Sequence, residues 1–123
     1  MISRVWRGWT TPDNADAYQR LLLDSILPGI GARRIPGYLG ARVDRRALAD
    51  VTEPEVEFVT TMFFDTLDSV IGFAGAEYSV AVVPPNARLL LSHFDATSAH
   101  YEVVGALDGS PDDLHRTLIT ETS

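Results

Sequence analysis

The hydrophobic and polar positions fall into a short series of blocks. Residues Ile2 to Thr10 are rich in β-branched and aromatic types with alternating apolar positions, which predicts a first strand. Arg4, Trp6 and Gly8 then share one face of that strand, and Arg7 and Trp9 the other. Thr11 can cap a helix, Pro12 suits its first position, and Asp13 and Asp16 favour the positive end of its dipole. Tyr18, Leu21, Leu22, Ser25 and Ile26 recur at helical spacing, with Gln19 and Asp24 outside, so the pattern predicts an amphipathic helix of about four turns. Pro28-Gly29 is expected to break or kink it, and Ile35-Pro36-Gly37 to turn the chain into a second strand, Tyr38 to Asp44. Residues 45 to 54 read as a polar connection.

Glu55 to Asp65 is the strongest strand signal, with nearly every position β-favouring and both faces expected to be buried. Thr66 to Phe73 reads as a shorter helix, capped by Asp65 or Thr66 and stopping near Gly75. Residues 77 to 83 fit strand or helix, Asn86 to Ser92 one or two helical turns, and Ala99 to Val104 the last strand. The order β-α-β-β-α-β, with a helical insertion before the last strand, predicts an α+β fold with a ferredoxin-like sheet and helices on one face. One domain over 1–104 and a polar tail over 105–123 are expected. The uncovered sheet face, with few polar residues in strand three, predicts a homodimer that pairs sheet to sheet.

Composition narrows the chemistry. At 123 residues and 46% hydrophobic content the chain suits one domain with a real core. Seventeen acidic against ten basic residues give a net charge of −7, which opposes binding to nucleic acid or an anionic membrane. No apolar run approaches the roughly 18 to 20 residues of a membrane span, and MISRVWRGW lacks a signal-peptide core, so a cytoplasmic protein is expected. The absence of cysteine excludes thiolate nucleophiles, thiolate metal sites and disulfides. Every basic residue is Arg, so lysine Schiff bases and a phosphate-binding P-loop lysine are excluded as well. No GxSxG, GxGxxG, HExxH or CxxC occurs, which removes serine hydrolase, dinucleotide and zinc-protease readings.

Three His, the carboxylates, Tyr, Trp and Arg remain. His100 and Tyr101 lie in the last strand, which neighbours the first in a split βαβ sheet, so a side chain from each can line one cavity. His100 is the candidate general base, its ordinary pKa lying near neutrality; the plainer reading is a half-buried His bonding a carbonyl. His93, Asp95 and His100 are nominally the ligands of a facial iron site, but His93 and Asp95 also suit a helix exit, and no metal is expected. Of Trp6 and Trp9, at most one can wall a ligand pocket. Arg33-Arg34 and Arg45-Arg46 read as solvated charge in connections, or as a gate for an anionic ligand. Glu57, in the most apolar strand, needs a partner such as Arg.

The runs WRGWTTPDNADAY, IPGYLGA, VEFVTTMFFDTLDSVIGFAG, AVVPPNARLLL and HFDATSAHYEV together resemble the antibiotic-biosynthesis monooxygenase group of the dimeric α+β barrel superfamily, over about residues 1 to 104. The resemblance implies a homodimer whose sheets face each other, with a pocket in each subunit between sheet and helices. It also implies oxidation of a phenolic or polyketide-like small aromatic substrate by dioxygen without a cofactor. On that reading His100 is the base, Arg4, Arg7 or Tyr101 holds the oxyanion, and Trp6 or Phe64 stacks the rings, with Trp9, Tyr38 and Phe73 as further substrate contacts. Met62-Phe63-Phe64-Asp65 stands where many members carry Glu-x-Trp. Heme-degrading relatives use an Asn in strand one that this chain lacks. Heme or hydrophobic-ligand binding, and a cyclase or isomerase reaction, are the alternatives on the same fold.

Overall fold

The computed structural model describes residues 1–49 and 52–109. It runs β1 (Ile2–Thr10), α1 (Pro12–Leu21), a π-helical turn (Leu22–Ile26), α2 (Leu27–Ala32), β2 (Tyr38–Leu48), β3 (Glu55–Phe64), α3 (Leu67–Ala74), α4 (Pro85–Leu90), β4 (Leu91–Phe94) and β5 (Ala99–Glu102). β1 and β3 pair antiparallel from Ile2 opposite Phe64 to Thr10 opposite Val56. Strand alternation then fixes the faces: Ile2, Arg4, Trp6, Gly8 and Thr10 point with Val56, Phe58, Thr60, Met62 and Phe64. The helices among the described residues pack on that side. Ala15, Tyr18 and Leu22 meet Val56, Phe58, Val83 and Ala87 in one core cluster, and Val70 meets Met62 and Phe64 in another.

The sheet order is β2-β3-β1, with β4 and β5 following one another along the far side of β1. All pairs are antiparallel, so this is an α+β chain with a five-stranded open sheet, compatible with a ferredoxin-like fold. β1 and β2 run parallel with β3 between them, and α1 and α2 span that crossover.

Three local expectations are refined or corrected. Of the break or kink expected at Pro28-Gly29, the break does not occur, and the helix becomes irregular just before it. Proline has no N–H to return to the carbonyl four residues back, and the chain absorbs this in the π-helical turn, where the Leu27 N–H reaches the Leu22 carbonyl five residues back. Pro28 then stands in the first turn of α2, where its missing donor is harmless, and the rod continues to Ala32. The wider turn also leaves Ser25 exposed instead of on the buried face.

Second, the connection expected over 45 to 54 begins as strand in its first four residues. β2 continues to Leu48, pairing Arg45 with Phe58 and Arg46 with Glu57. These side chains are exposed, so the ladder leaves no apolar alternation to read. Arg46 Nε meets Glu57 Oε1 at 2.7 Å, the partner that Glu57 needs, and Arg45 reaches Asp16 at 3.0 Å and Gln19 at 2.7 Å.

Third, the last strand position is built from two pieces. β4 pairs with Gly8–Thr10 and β5 with Ile2–Val5, and residues 95–98 step out of line between them. Residues 79–81 cross the gap, with the Ala81 N–H on the Ala96 carbonyl at 3.0 Å and the Ser98 N–H on the Ser79 carbonyl at 2.8 Å. Segment 77 to 83 is therefore a strap with one isolated bridge, Val80 to Thr97.

The helix-free face of the sheet carries Val5, Val59 and Phe63 among charges that are paired within the chain. The pairs are Arg7 with Asp95, Arg42 with Asp44, Arg46 with Glu57, and His93 with Glu55. No helix among the described residues is long and apolar enough to cross a membrane. Of the expected tail, residues 105–109 form no helix or strand and 110–123 lie outside the described residues.

Candidate functional site

Between the sheet and the helical rod lies a cavity of about 70 Å³. Its floor is Arg4, Trp6, Thr60 and Met62, all on the helix-facing side set by the β1–β3 register. The rod supplies Tyr18, Leu22 and Ile26 to one wall, Phe73 of α3 closes another, and Val82 to Pro84 of the strap form the rim with Ser98 beside them. Gly8 makes room for this arrangement: a Cβ there would lie 2.9 Å from Leu91 Cδ2 and 3.2 Å from the Trp6 ring. Trp6 is held by donating its indole N–H to the Asp95 carbonyl at 2.7 Å.

Arg4 dominates the cavity electrostatically. The residue is only 4% exposed, and no carboxylate pairs with it among the described residues. Its Nη1 donates to the Tyr78 carbonyl and lies 3.0 Å from His100 Nε2, and its Nη2 donates to the Val80 carbonyl at 3.4 Å. The guanidinium also lies over the Phe73 ring, 5.4 Å from its centre. The break in the edge strand makes this possible, because it draws the strap's carbonyls across β1. Arg33 covers the same Phe73 ring at 5.1 Å and donates to its carbonyl at 3.1 Å.

His100 stands opposite Arg4 in the β1–β5 register. Arginine cannot accept a hydrogen bond, so in this contact Nε2 is the acceptor and the imidazole is neutral, with its proton on Nδ1. Burial, and then the charge of Arg4, lower the His100 pKa below its ordinary value of 6.5. The unfolded chain takes up a proton near pH 6.5 that the folded site resists, so this part of the stability is present above pH 6.5 and is lost as pH falls below it. We expect the melting temperature to drop on acidification through that range, and His100→Gln, whose amide oxygen still accepts from Arg4, to flatten the drop. An identical thermal-melt series for both proteins from pH 7.5 to 4.5 would remove His100 from this role.

Three of the side chains singled out from sequence, Arg4, Trp6 and Phe73, line the cavity, and His100 lies one hydrogen bond behind Arg4. Tyr38 and Phe64 pack against each other in the second core cluster and do not line it. Arg7, Trp9 and Tyr101 are on the other side of the sheet, since odd positions of β1 face away from the helices and Tyr101 is opposite Ser3. There Arg7 and Tyr101 border a separate pocket of about 480 Å³ with Val5 and Asp95. Trp9 stacks on His93, with ring centres 4.5 Å apart.

The His93, Asp95 and His100 set is dispersed: His93 bonds Glu55, Asp95 bonds Arg7 and His100 bonds Arg4. No group of three or more His, Cys, Asp or Glu gathers as a metal site among the described residues. Sequence reasoning missed the contributions of Tyr18, Thr60, Met62 and Ser98. Tyr18 did carry a signal, because a tyrosine on the buried face of an amphipathic helix brings a hydroxyl that needs a destination. Burial raises its pKa, and with Thr60 and Ser98 it brings a hydroxyl-bearing side chain to the cavity lining. No protein-family model matches the chain, and no curated protein matches it.

Proposed function

We propose that the chain is a cofactor-independent oxygenase of the antibiotic-biosynthesis monooxygenase kind, taking the ring of a small aromatic substrate into the cavity beside Arg4. The observation that carries this reading is the Arg4–His100 pair at an aromatic-walled cavity: a neutral imidazole able to take a proton, next to a fixed cation able to stabilise the anion left behind. Because Arg4 occupies the Nε2 lone pair, an acidic substrate group must displace that contact to reach the base. His100 removes a proton from an activated ring CH₂, and the carbanion passes one electron to dioxygen. Recombination and return of the proton give a hydroperoxide, which loses water. The CH₂ becomes C=O, one oxygen atom is retained and the other leaves as water.

The cavity is about half the ~150 Å³ of a dry cavity known to admit benzene. A one-ring portion of the substrate therefore sits partly in the mouth, against the strap at Val82, which is 60% exposed. The working unit on this reading is a homodimer paired through the helix-free sheet faces, where in-chain ion pairs leave little net charge to oppose stacking of Val5, Val59 and Phe63. A native mass spectrum should return the dimer.

Oxygen-electrode traces with anthrone and substituted phenols test the chemistry. Uptake should fall at least 100-fold in His100→Ala. Undiminished uptake would remove His100 as base. Conversion without uptake would assign an isomerase or cyclase, and binding without conversion a ligand carrier.

A further inference from the structure

Arginine carries five N–H donors in a planar fork. In Arg4 three are engaged: both on Nη1, by the Tyr78 carbonyl and His100 Nε2, and one on Nη2, by the Val80 carbonyl. The two left over, one on Nε and one on Nη2, meet no partner among the described residues, and the Nε–Nη2 side of the fork is one that suits the two oxygens of a carboxylate. A phenolate or alkoxide offers one oxygen and leaves one of these donors unmet. Arg4 lines the cavity, is almost fully buried, and has no carboxylate of its own among the described residues. A buried charge in that condition is costly until an anion arrives. Three hydroxyl-bearing residues, Tyr18, Thr60 and Ser98, line the same space. The other lining groups are mainly apolar, among them Leu22, Ile26 and Met62.

We propose that the cavity recognises a small monocarboxylic acid with an apolar body, its carboxylate held side-on by Arg4 with hydroxyl donors from the walls and its body directed to the mouth. The proposal rests on the reading of this cavity as the substrate site and not on the oxygen chemistry. Within that reading, the acid group is the handle that holds the substrate.

Titration calorimetry, paralleled by Trp6 fluorescence, tests it on the full chain with three probes of one ring each: benzoate, its neutral isostere benzamide, and phenol. Benzoate should saturate at one per chain and bind at least tenfold tighter than the other two. Arg4→Lys keeps the charge but loses the fork, and should weaken benzoate at least tenfold. Tyr18→Phe, which removes only a hydroxyl from the lining, should weaken it severalfold with the melting temperature retained, and so provides a reading even if Arg4→Lys fails to fold. Equal binding of benzamide and benzoate, a preference for phenol, or failure of benzoate to saturate would overturn the carboxylate assignment. Oxygen uptake on phenols with benzoate silent would sink this proposal and leave the oxygenase standing. Tight benzoate binding with no uptake on any substrate would do the reverse.

Discussion

Phe64→Ala will destabilise the chain severely without removing any part of the cavity lining. Phe64 is 0% exposed and packs on Met62 and Val70, with Tyr38 and Phe73 at its edges. Truncating a phenylalanine in such a place removes its transfer free energy and leaves a void that neighbours fill only in part, a loss of about 3–5 kcal/mol. Against a total of roughly 5–15 kcal/mol this is a large share, and the melting temperature should fall on the order of 15 °C. Phe73→Ala is the comparison. Phe73 is half-buried and lines the cavity, so its truncation should cost less stability and alter ligand affinity directly. Equal destabilisation by both substitutions would mean that Phe73 is a core residue like Phe64, and would withdraw it from the site.

Gly37→Ala is expected to be nearly as damaging, for a different reason. Gly37 has φ +83°, a backbone conformation that costs an L-residue roughly 1–2 kcal/mol. Its Cβ would also fall 2.0 Å from both Asp65 Oδ1 and Ser69 Oγ, which bond to each other at the start of α3. Relieving that overlap breaks the carboxylate's bond or the turn in which the Asp65 N–H meets the Gly37 carbonyl at 2.9 Å. The sum is about 2–4 kcal/mol, measurable by urea denaturation. Gly29→Ala, in helical backbone with nothing within 4 Å of its Cβ, should instead be neutral or stabilising by about 0.5–1 kcal/mol. A neutral Gly37→Ala would show that the turn before β2 relaxes freely.

The sequence was legible where one force wrote the pattern. β1 and β3 announce themselves through β-branched and aromatic residues, and their register follows from matching apolar faces. α1 was readable from Thr11 and Pro12, whose capping chemistry is local. The run Leu89-Leu90-Leu91 was not, because a short apolar stretch satisfies helix and strand alike. Only pairing with Gly8–Thr10 makes Leu91–Phe94 a strand. The far half of β2 was hidden because backbone hydrogen bonds hold it while its side chains stay in solvent.

At the site, alternation put Arg4 and Trp6 on one face and Arg7 and Trp9 on the other, but nothing local said which face the helices cover. That choice follows from β3, whose Phe58, Met62 and Phe64 must all turn toward the core. The partners of the Arg4 guanidinium were beyond sequence entirely, since they include carbonyls brought from residues 78 and 80 to a break in the edge strand.

That break has a further effect at the sheet's borders. An unbroken outer strand would present a row of open backbone groups on which another chain could extend the ladder. Here one border steps out at residues 95–98 and is partly covered by the strap, and the other is β2 with exposed Arg42, Asp44, Arg45 and Arg46. Neither offers a long, apolar template, so strand addition is disfavoured at both borders.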